Sequence, residues 1–214
     1  MATSSRPSPK ARSSVSARAA APVRRNVPAH EVRILGGQWK RTPLPVPDLP
    51  GLRPTPSRVR ETLFNWLGQD MTGLRCIDAF AGSGALGLEA ASRGAKEVWL
   101  VEQDAQLVTR LRATLRKLAA QQVRAEKADA FSVLAACAGQ GWDGVFLDPP
   151  FLDGQNDDIT RRALRAARLA ISTTGWVYLE SPREWQADEL VALGLARLKY
   201  GRAGQVHYAL LGAV

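Results

Sequence analysis

Residues 145–151 read Val-Phe-Leu-Asp-Pro-Pro-Phe: an apolar, strand-forming run that ends on a carboxylate, two prolines and an aromatic ring. Pro149 and Pro150 lack a backbone N–H and fix φ at about −65°. The residue before each proline is pushed toward an extended conformation. Asp148-Pro149-Pro150-Phe151 therefore reads as a stiff ledge without donors at the end of a strand. It offers a carboxylate, bare carbonyls and a ring face. An exocyclic amino group on a nucleobase matches that set. Asp148 accepts one of its N–H groups, the Pro149 carbonyl accepts the other, and Phe151 stacks on the base. The plainer reading of Asp-Pro-Pro is a strand-terminating turn. The preceding apolar run and the following Phe151 favour the ledge.

A second pattern lies upstream. Gly82-Ser83-Gly84-Ala85-Leu86-Gly87 is G-x-G-x-x-G after a strand, and Glu102 follows Gly82 by twenty positions. Taken literally this is the dinucleotide fingerprint, which makes a nicotinamide oxidoreductase the natural rival. Charge argues against it. A pyrophosphate belongs on the helix N-terminus, yet Asp78, Glu102, Asp129 and Asp148 all fall at or near the same strand ends. S-adenosylmethionine has no phosphate and carries a sulfonium and an ammonium, which suit four carboxylates. On this reading Gly82 and Gly84 let the backbone approach the cofactor without a Cβ in the way. Phe80 and Ser83 belong to the same loop. Glu102 holds the ribose hydroxyls, and Asp129, beside Ala130, accepts from the adenine amine.

The elements that must position these residues follow from periodicity. Val32–Leu35 and Trp39–Val46 predict a hairpin around Gly36-Gly37, with Pro43, Pro45 and Pro47 confining the second arm to an edge. Val59, Leu63, Trp66 and Leu67 form one helical stripe, with Arg58, Glu61, Thr62 and Asn65 away from it. Strands are then predicted at 75–80, 96–102, 123–129, 142–148, 175–181, 195–201 and 205–212. Helices are predicted at about 84–93, 104–120, 130–138, 156–170 and 186–193. The alternation predicts an α/β fold: a doubly wound, Rossmann-like sheet of seven mostly parallel strands with a small N-terminal hairpin extension. Its last two strands form an antiparallel hairpin across Ala203-Gly204. Ligands in such sheets bind at the carboxyl ends of strands near the switch point.

Composition sets the surroundings. The net charge is +9, and residues 1–30 hold six basic residues and no acid, leaving +3 for residues 31–214. This Ser/Ala/Pro/Arg-rich tail has too little apolar surface to fold alone. It reads as a disordered basic arm for nucleic acid rather than a transit peptide, because repeated prolines oppose a presequence helix. No apolar run reaches the roughly 18 residues of a membrane span. Cys76 and Cys137 are too few and isolated for a zinc site or disulfide framework, and His30 and His207 suggest no metal cluster. Buried free thiols in a cytoplasmic, monomeric protein are expected. The expected divisions are a tail at 1–30, the hairpin at 31–52 and a cofactor-binding domain at 53–214.

Several blocks carry a resemblance. Arg33-Ile34-Leu35-Gly36-Gly37-Gln38-Trp39, Gly51-Leu52-Arg53-Pro54-Thr55 and Arg58-Val59-Arg60-Glu61-Thr62-Leu63-Phe64-Asn65-Trp66-Leu67 are three of them. The loop from Asp78 through Ala90 and Asp148-Pro149-Pro150-Phe151 complete the set. Together they resemble the RsmD-type 16S rRNA guanine-N2 methyltransferases over residues 32–214. Lys40-Arg41-Thr42-Pro43 departs from that pattern. The resemblance implies a class I methyltransferase that uses S-adenosylmethionine to methylate N2 of the 16S rRNA guanine conventionally numbered 966, within a partly assembled 30S particle. Asp148, Pro149, Pro150 and Phe151 are then the catalytic ledge. Arg33, Lys40, Arg41, Arg53, Arg58 and Arg60 are candidates for the rRNA backbone surface, against the plainer reading of a solvated basic face. Other readings are an adenine-N6 or other amino methyltransferase, and a non-catalytic ribosome-assembly factor.

Overall fold

The computed structural model describes Met1 and residues 31–46, 55–151 and 156–214. The basic tail and Arg53 lie outside the described residues. A two-stranded antiparallel ribbon, β1 (Glu31–Arg33) and β2 (Pro43–Pro45), precedes helix α1 (Ser57–Trp66). Then follow β3 (Arg75–Asp78), α2 (Ala85–Ser92), β4 (Glu97–Glu102), α3 (Ala105–Leu118), β5 (Val123–Lys127), α4 (Ala130–Ala136) and β6 (Trp142–Leu147). The chain closes with α5 (Asn156–Ala170), β7 (Ile171–Ser181), α6 (Ala187–Val191), β8 (Leu195–Ala203) and β9 (Val206–Ala213).

The seven-stranded sheet has the order β5-β4-β3-β6-β7-β9-β8. Strands β3 to β7 are parallel, and β9 runs antiparallel to both β7 and β8. The chain moves outward from β3 through β4 to β5, then returns to place β6 on the other side of β3. The crevice of such a reversal opens at the carboxyl ends of β3 and β6, where Asp78 and Asp148 lie.

Several expected boundaries move for physical reasons. Most of Trp39–Val46 is turn, and only Pro43–Pro45 pairs as strand. Arg41 adopts φ 69°, which closes the turn through Arg41 N–H to Ile34 O (2.8 Å) and Ile34 N–H to Thr42 O (3.0 Å). β6 ends at Leu147 because Pro149 has no N–H with which to extend the ladder. β5 ends at Lys127, freeing Asp129 to cap α4: its carboxylate accepts the Ser132 N–H at 2.9 Å. β7 begins at Ile171, four residues earlier than expected. The Ser172-Thr173-Thr174-Gly175 run that looks like a turn is carried as an irregularity between the Trp142↔Ile171 and Gly144↔Trp176 pairs. The buried stripe of α1 is Val59, Arg60, Leu63 and Phe64, whereas Trp66 and Leu67 are only half-buried.

Two apolar cores flank the sheet. On one face Val32, Ile34, Leu44 and Val46 of the N-terminal ribbon pack with Val59, Leu63 and Phe64 of α1 and Leu88 of α2. On the other, Leu134, Leu164 and Leu190 of α4 to α6 cover Val145, Leu147 and Val177. Every residue of α2 is buried, including Glu89. Glu89 is consequently paired on all sides. It accepts from the N–H groups of Leu35 (2.7 Å) and Gly36 (2.8 Å), and from Arg93 Nε (2.9 Å) and Arg60 Nη1 (3.4 Å). Gly37 must stay glycine here. Its φ is 72°, and a Cβ would stand 1.8 Å from the Ser92 carbonyl oxygen.

Glu89→Gln leaves two buried guanidinium groups without their counter-charge. Removing one member of a buried pair costs about 3–5 kcal/mol, and urea unfolding of the variant is expected to show a loss of that size. A change under about 1 kcal/mol would mean that the ribbon and α1 are held by packing alone.

Candidate active site at the carboxyl edge of the sheet

The Gly82–Gly87 loop joins β3 to α2. Gly82 has φ 52° and Gly84, the N-cap of α2, has φ 80°, a left-handed conformation that glycine adopts without strain. A Cβ on Gly84 would meet Leu111 Cδ2 at 2.8 Å, and one on Gly87 would meet Leu100 Cδ2 at 2.3 Å. The loop is therefore held tightly against the sheet.

Its N–H groups are already engaged. Gly82 donates to Glu102 Oε2 at 2.9 Å, and Gly87 donates to Asp78 Oδ2 at 2.9 Å. A carboxylate thus occupies the helix-N-terminal position where a dinucleotide would place its pyrophosphate. Asp78 is 1% exposed, and its other oxygen, Oδ1, is buried without a well-formed hydrogen bond among the described residues, the Phe80 N–H lying near enough only to favour the charged form. An acceptor of that kind fits a cationic ligand and opposes a dianion.

Glu102 ends β4 half-buried, and its second oxygen accepts the Asp104 N–H at 2.9 Å. Each oxygen keeps a further lone pair for a ribose hydroxyl. Asp129 accepts from Gln103 Nε2 at 2.8 Å as well as capping α4. Its capping role was not anticipated and restricts its rotation. Ala130 is buried beside it, while Phe80 and Phe131 stand edge to face with centroids 6.2 Å apart, both half-buried. Phe131 was not among the expected residues. Its position directly after Asp129-Ala130 was the available signal. Ser83 is half-buried in the glycine loop.

Asp148 leaves β6 next to the end of β3, where the Ala79 N–H bonds to Phe146 O at 3.1 Å. Pro149 is buried, Pro150 is exposed, and the Phe151 ring is 43% exposed with a face available to a stacking partner. The Thr55 hydroxyl donates to Asp148 Oδ2 at 3.3 Å. Burial, with Glu180 and Asp78 nearby, raises the Asp148 pKa well above the usual carboxylate range. Glu180, on β7, is 3% exposed, accepts from the Tyr178 hydroxyl at 3.0 Å, and is itself raised by burial. Thr55, Tyr178 and Glu180 were missed by the sequence reading. Tyr178 and Glu180 alternate within an apolar strand, so they share a face, and that was a legible signal.

The basic candidates separate. Arg33, Lys40, Arg41 and Arg58 are exposed. Arg33 pairs with Glu31 and donates to Arg41 O at 3.2 Å. Arg60 is corrected: it is 0% exposed, bound to Glu89 and to the Thr55 carbonyl (3.3 Å), and cannot reach a phosphate. Its place on the buried stripe of α1 is the reason. Lys40 also borders a polar cleft of about 780 Å³ lined by Glu61, Asn65, Gln69 and Asp70; none of the expected cofactor or ledge residues lines it. Cys76 and Cys137 are buried free thiols. Among the described residues no cluster of acids, histidines and cysteines could hold a metal, and no helix is long and apolar enough to cross a membrane.

Burial above all pushes the Asp78 pKa up to about 7. Its folded-state value exceeds the unfolded one, so the fold favours the protonated form. That contribution is complete below the unfolded pKa and is lost as pH rises through about 7. Asp78→Asn is therefore expected to gain stability relative to the parent as pH goes from 5 to 8, read from urea unfolding at both values. A difference independent of pH would show that Asp78 does not titrate in this range.

The model of the family described as "Conserved hypothetical protein 95" matches residues 32–212. The Ribosomal RNA small subunit methyltransferase D of Escherichia coli K12 is 42% identical over 187 residues, covering 84% of this chain and 89% of the relative. The solved structure of yhhF from Escherichia coli superposes with a TM-score of 0.71 at 35% identity, covering 86% of this chain and 98% of that one. The Thermus thermophilus 16S rRNA N2 G1207 methyltransferase (RsmC), solved with AdoMet and guanosine, shares the fold at TM-score 0.66 and 24% identity, over 86% of this chain and 50% of that one. With a family model spanning nearly the whole sheet and its N-terminal ribbon, this chain belongs to the Conserved hypothetical protein 95 family, the family of the RsmD-type methyltransferases.

Proposed function

We propose that this protein methylates the exocyclic N2 of a guanine in 16S rRNA, the one conventionally numbered 966, using S-adenosylmethionine. It would act as a cytoplasmic monomer on a partly assembled 30S particle. The observation that carries the reading is Asp148 on its proline ledge, beside the end of β3 and its carboxylate-filled glycine loop. The name of the 42% identical Escherichia coli relative supports rRNA of the small subunit as the substrate class.

The cofactor, when bound, supplies a methyl group on a positively charged sulfur. Glu102 would hold its ribose hydroxyls, and Asp129 with Ala130, Phe80 and Phe131 would receive its adenine. Asp78, with Gly82, Ser83 and Gly84, would face its cationic part. The Asp78 oxygen without a well-formed hydrogen bond fits a ligand bearing positive charge.

Guanine N2 is a poor nucleophile because its lone pair is delocalised into the ring. Asp148 and the Pro149 carbonyl would accept its two N–H bonds and let the nitrogen pyramidalise. Phe151 would stack on the base. Transfer is then a direct displacement dominated by positioning, with no covalent enzyme intermediate. The base must be unstacked to reach the ledge, so a loop guanine costs less than a paired one. Arg33, Lys40, Arg41 and Arg58 would meet rRNA phosphates, and the same role is proposed for Arg53 and the tail, which lie outside the described residues. The tail, ribbon and cofactor domain are proposed as the functional divisions at 1–30, 31–52 and 53–214. The ribbon nonetheless shares a core with α1 and α2.

The direct experiment is mass mapping of 16S rRNA from cells with and without the gene: a single guanine should lose one methyl group. An unchanged map, or a lost methyl on adenine, would refute the assignment. Two variants separate the roles. Asp148→Asn should still bind the cofactor and lose on the order of 10²–10³ in turnover, because a preorganised acceptor becomes partly a donor. Glu102→Ala should weaken cofactor binding in calorimetry and leave RNA binding unchanged. If the two variants show the same pattern, ledge and cofactor site are not distinct.

A further inference from the structure

Asp148 has a neighbour that the ledge chemistry does not require. Leu147 of β6 pairs with Leu179 of β7, so Asp148 and Glu180 follow at the same level on adjacent parallel strands. Glu180 is 3% exposed and Asp78, at the end of β3 on the other side of β6, is 1% exposed. Thr55 offers its single hydroxyl proton to Asp148 Oδ2 at 3.3 Å and lies close enough to Glu180 to favour its charged form as well. One hydroxyl donates to one acceptor at a time, so it cannot satisfy both carboxylates.

The remaining groups around the pair do not supply enough positive charge. From β7 Tyr178 donates to Glu180 at 3.0 Å, and from β9 Tyr208 lies near Tyr178. From α1 Arg60 faces Glu180, but its guanidinium also faces Glu89 of α2. From β4 Glu102 adds another negative charge near Asp78. Carboxylates crowded in a largely buried site resist ionising together. Burial first, then Glu180 and Asp78, raise Asp148 in this way.

We propose that Asp148 and Glu180 share one proton in the free enzyme, and that the positive sulfur of a bound sulfonium cofactor displaces it. Glu180 is thus a positioning residue: it holds the proton ready to leave and keeps Asp148 basic. This rests on the cofactor reading above. On transfer, the nitrogen lone pair forms the N–C bond and the S–C bond breaks with its electron pair left on sulfur. The proton leaving N2 goes to Asp148. The pair regains its proton because the positive charge that displaced it has become a neutral thioether. One proton leaves on binding and one returns with the product, so the site resets itself.

S-adenosylmethionine and S-adenosylhomocysteine differ in the methyl group and in the charge on sulfur. Calorimetry of each ligand at pH 7, in two buffers of different ionisation enthalpy, counts the protons released on binding. The sulfonium ligand is expected to release between roughly a half and one proton more than the thioether. Its affinity relative to the thioether should then rise up to about tenfold per pH unit. Glu180→Gln removes the second carboxylate and should cut that difference by at least about half. Equal proton counts for both ligands in the parent protein would overturn the proposal while leaving the cofactor reading intact. If neither ligand binds, both fall. An unchanged difference in a folded Glu180→Gln would remove Glu180 from the pair. Asp78 also titrates at about 7, so Asp78→Asn is the control that does not depend on the Glu180 variant: the extra proton should persist in it, and its loss there would assign the proton to Asp78 and overturn the pair.

Discussion

One buried carboxylate fixes where most of this molecule can be. Glu89 sits inside a helix with no exposed residue, so its charge must be answered from the neighbouring elements. The answer comes from two backbone N–H groups of the ribbon turn, from Arg60 on α1 and from Arg93. Two segments distant in sequence, the ribbon turn and α1, are thereby registered against α2 within a hydrogen bond's tolerance, while Arg93 answers from the C-cap of α2 itself. Apolar contact alone would permit them to slide; ionic hydrogen bonds with defined directions do not. The consequence reaches the active site. Arg60 also bonds to the Thr55 carbonyl, and Thr55 is the residue whose hydroxyl meets Asp148. The N-terminal ribbon is therefore part of the apparatus that sets the ledge, although it contributes no residue to it.

The acids at the sheet edge then fall into two kinds. Glu102 and Asp129 are half-exposed, and backbone or side-chain donors answer their oxygens. They are shaped as fixed acceptors. Asp78 and Glu180 are buried at the edge and Asp148 lies half-buried between them, with fewer donors than oxygens and each other as neighbours. Such an arrangement is unfavourable in the isolated fold, because each added negative charge raises the energy of the others. It becomes favourable when a cation arrives. The fold stores an electrostatic deficit that a sulfonium can relieve and a pyrophosphate would deepen. That asymmetry, more than the spacing of glycines, separates this site from a dinucleotide site of similar sequence.

Much of this was legible in the residues alone. The sheet, its seven strands and the antiparallel close were readable because period-2 and period-3.6 apolar patterns alternate cleanly from Arg75 onward. Asp78, Glu102 and Asp148 were legible as strand-end acids because each follows an apolar run, whereas Asp129 was legible only from its place just after the third strand. What the pattern could not give was partnership. Arg60 read as a surface cation because charge alone predicts exposure; only the Glu89 carboxylate on another helix makes burial tolerable. Glu180 could be read as an acid sharing a face with Tyr178 in an apolar strand, but its significance depends on Asp148 on the neighbouring strand, which no local pattern shows. The start of β7 was misread because Ser172-Thr173-Thr174-Gly175 has turn composition, and its strand pairing is imposed by Trp142 and Gly144 of β6. Local composition specified the elements, whereas long-range charge pairing specified the site.

The ledge also bears on which base it suits. Pro149 and Pro150 contribute no N–H, and Asp148 in its ionised form only accepts, so the wall consists of acceptors. An exocyclic amine alone would be served equally well from adenine, cytosine or guanine. The bases differ in the atom beside the amine. Guanine carries the donor N1–H on one side of N2 and the acceptor N3 on the other, while adenine and cytosine place an acceptor nitrogen beside the amine on the Watson–Crick edge. Set against a wall of acceptors, the ring nitrogen of adenine or cytosine would face like with like, and an unpaired buried acceptor costs about 1–3 kcal/mol. Guanine avoids that conflict when it turns its N1–H side to the acceptors. The ionisation of Asp148 is thus tied to selectivity as well as rate: a protonated Asp148 would offer a donor and admit the wrong edge. On the proposed function, a site that ionises when the cofactor binds would favour the adjacent N1–H and N2–H donors of guanine at the moment a methyl group is available to transfer.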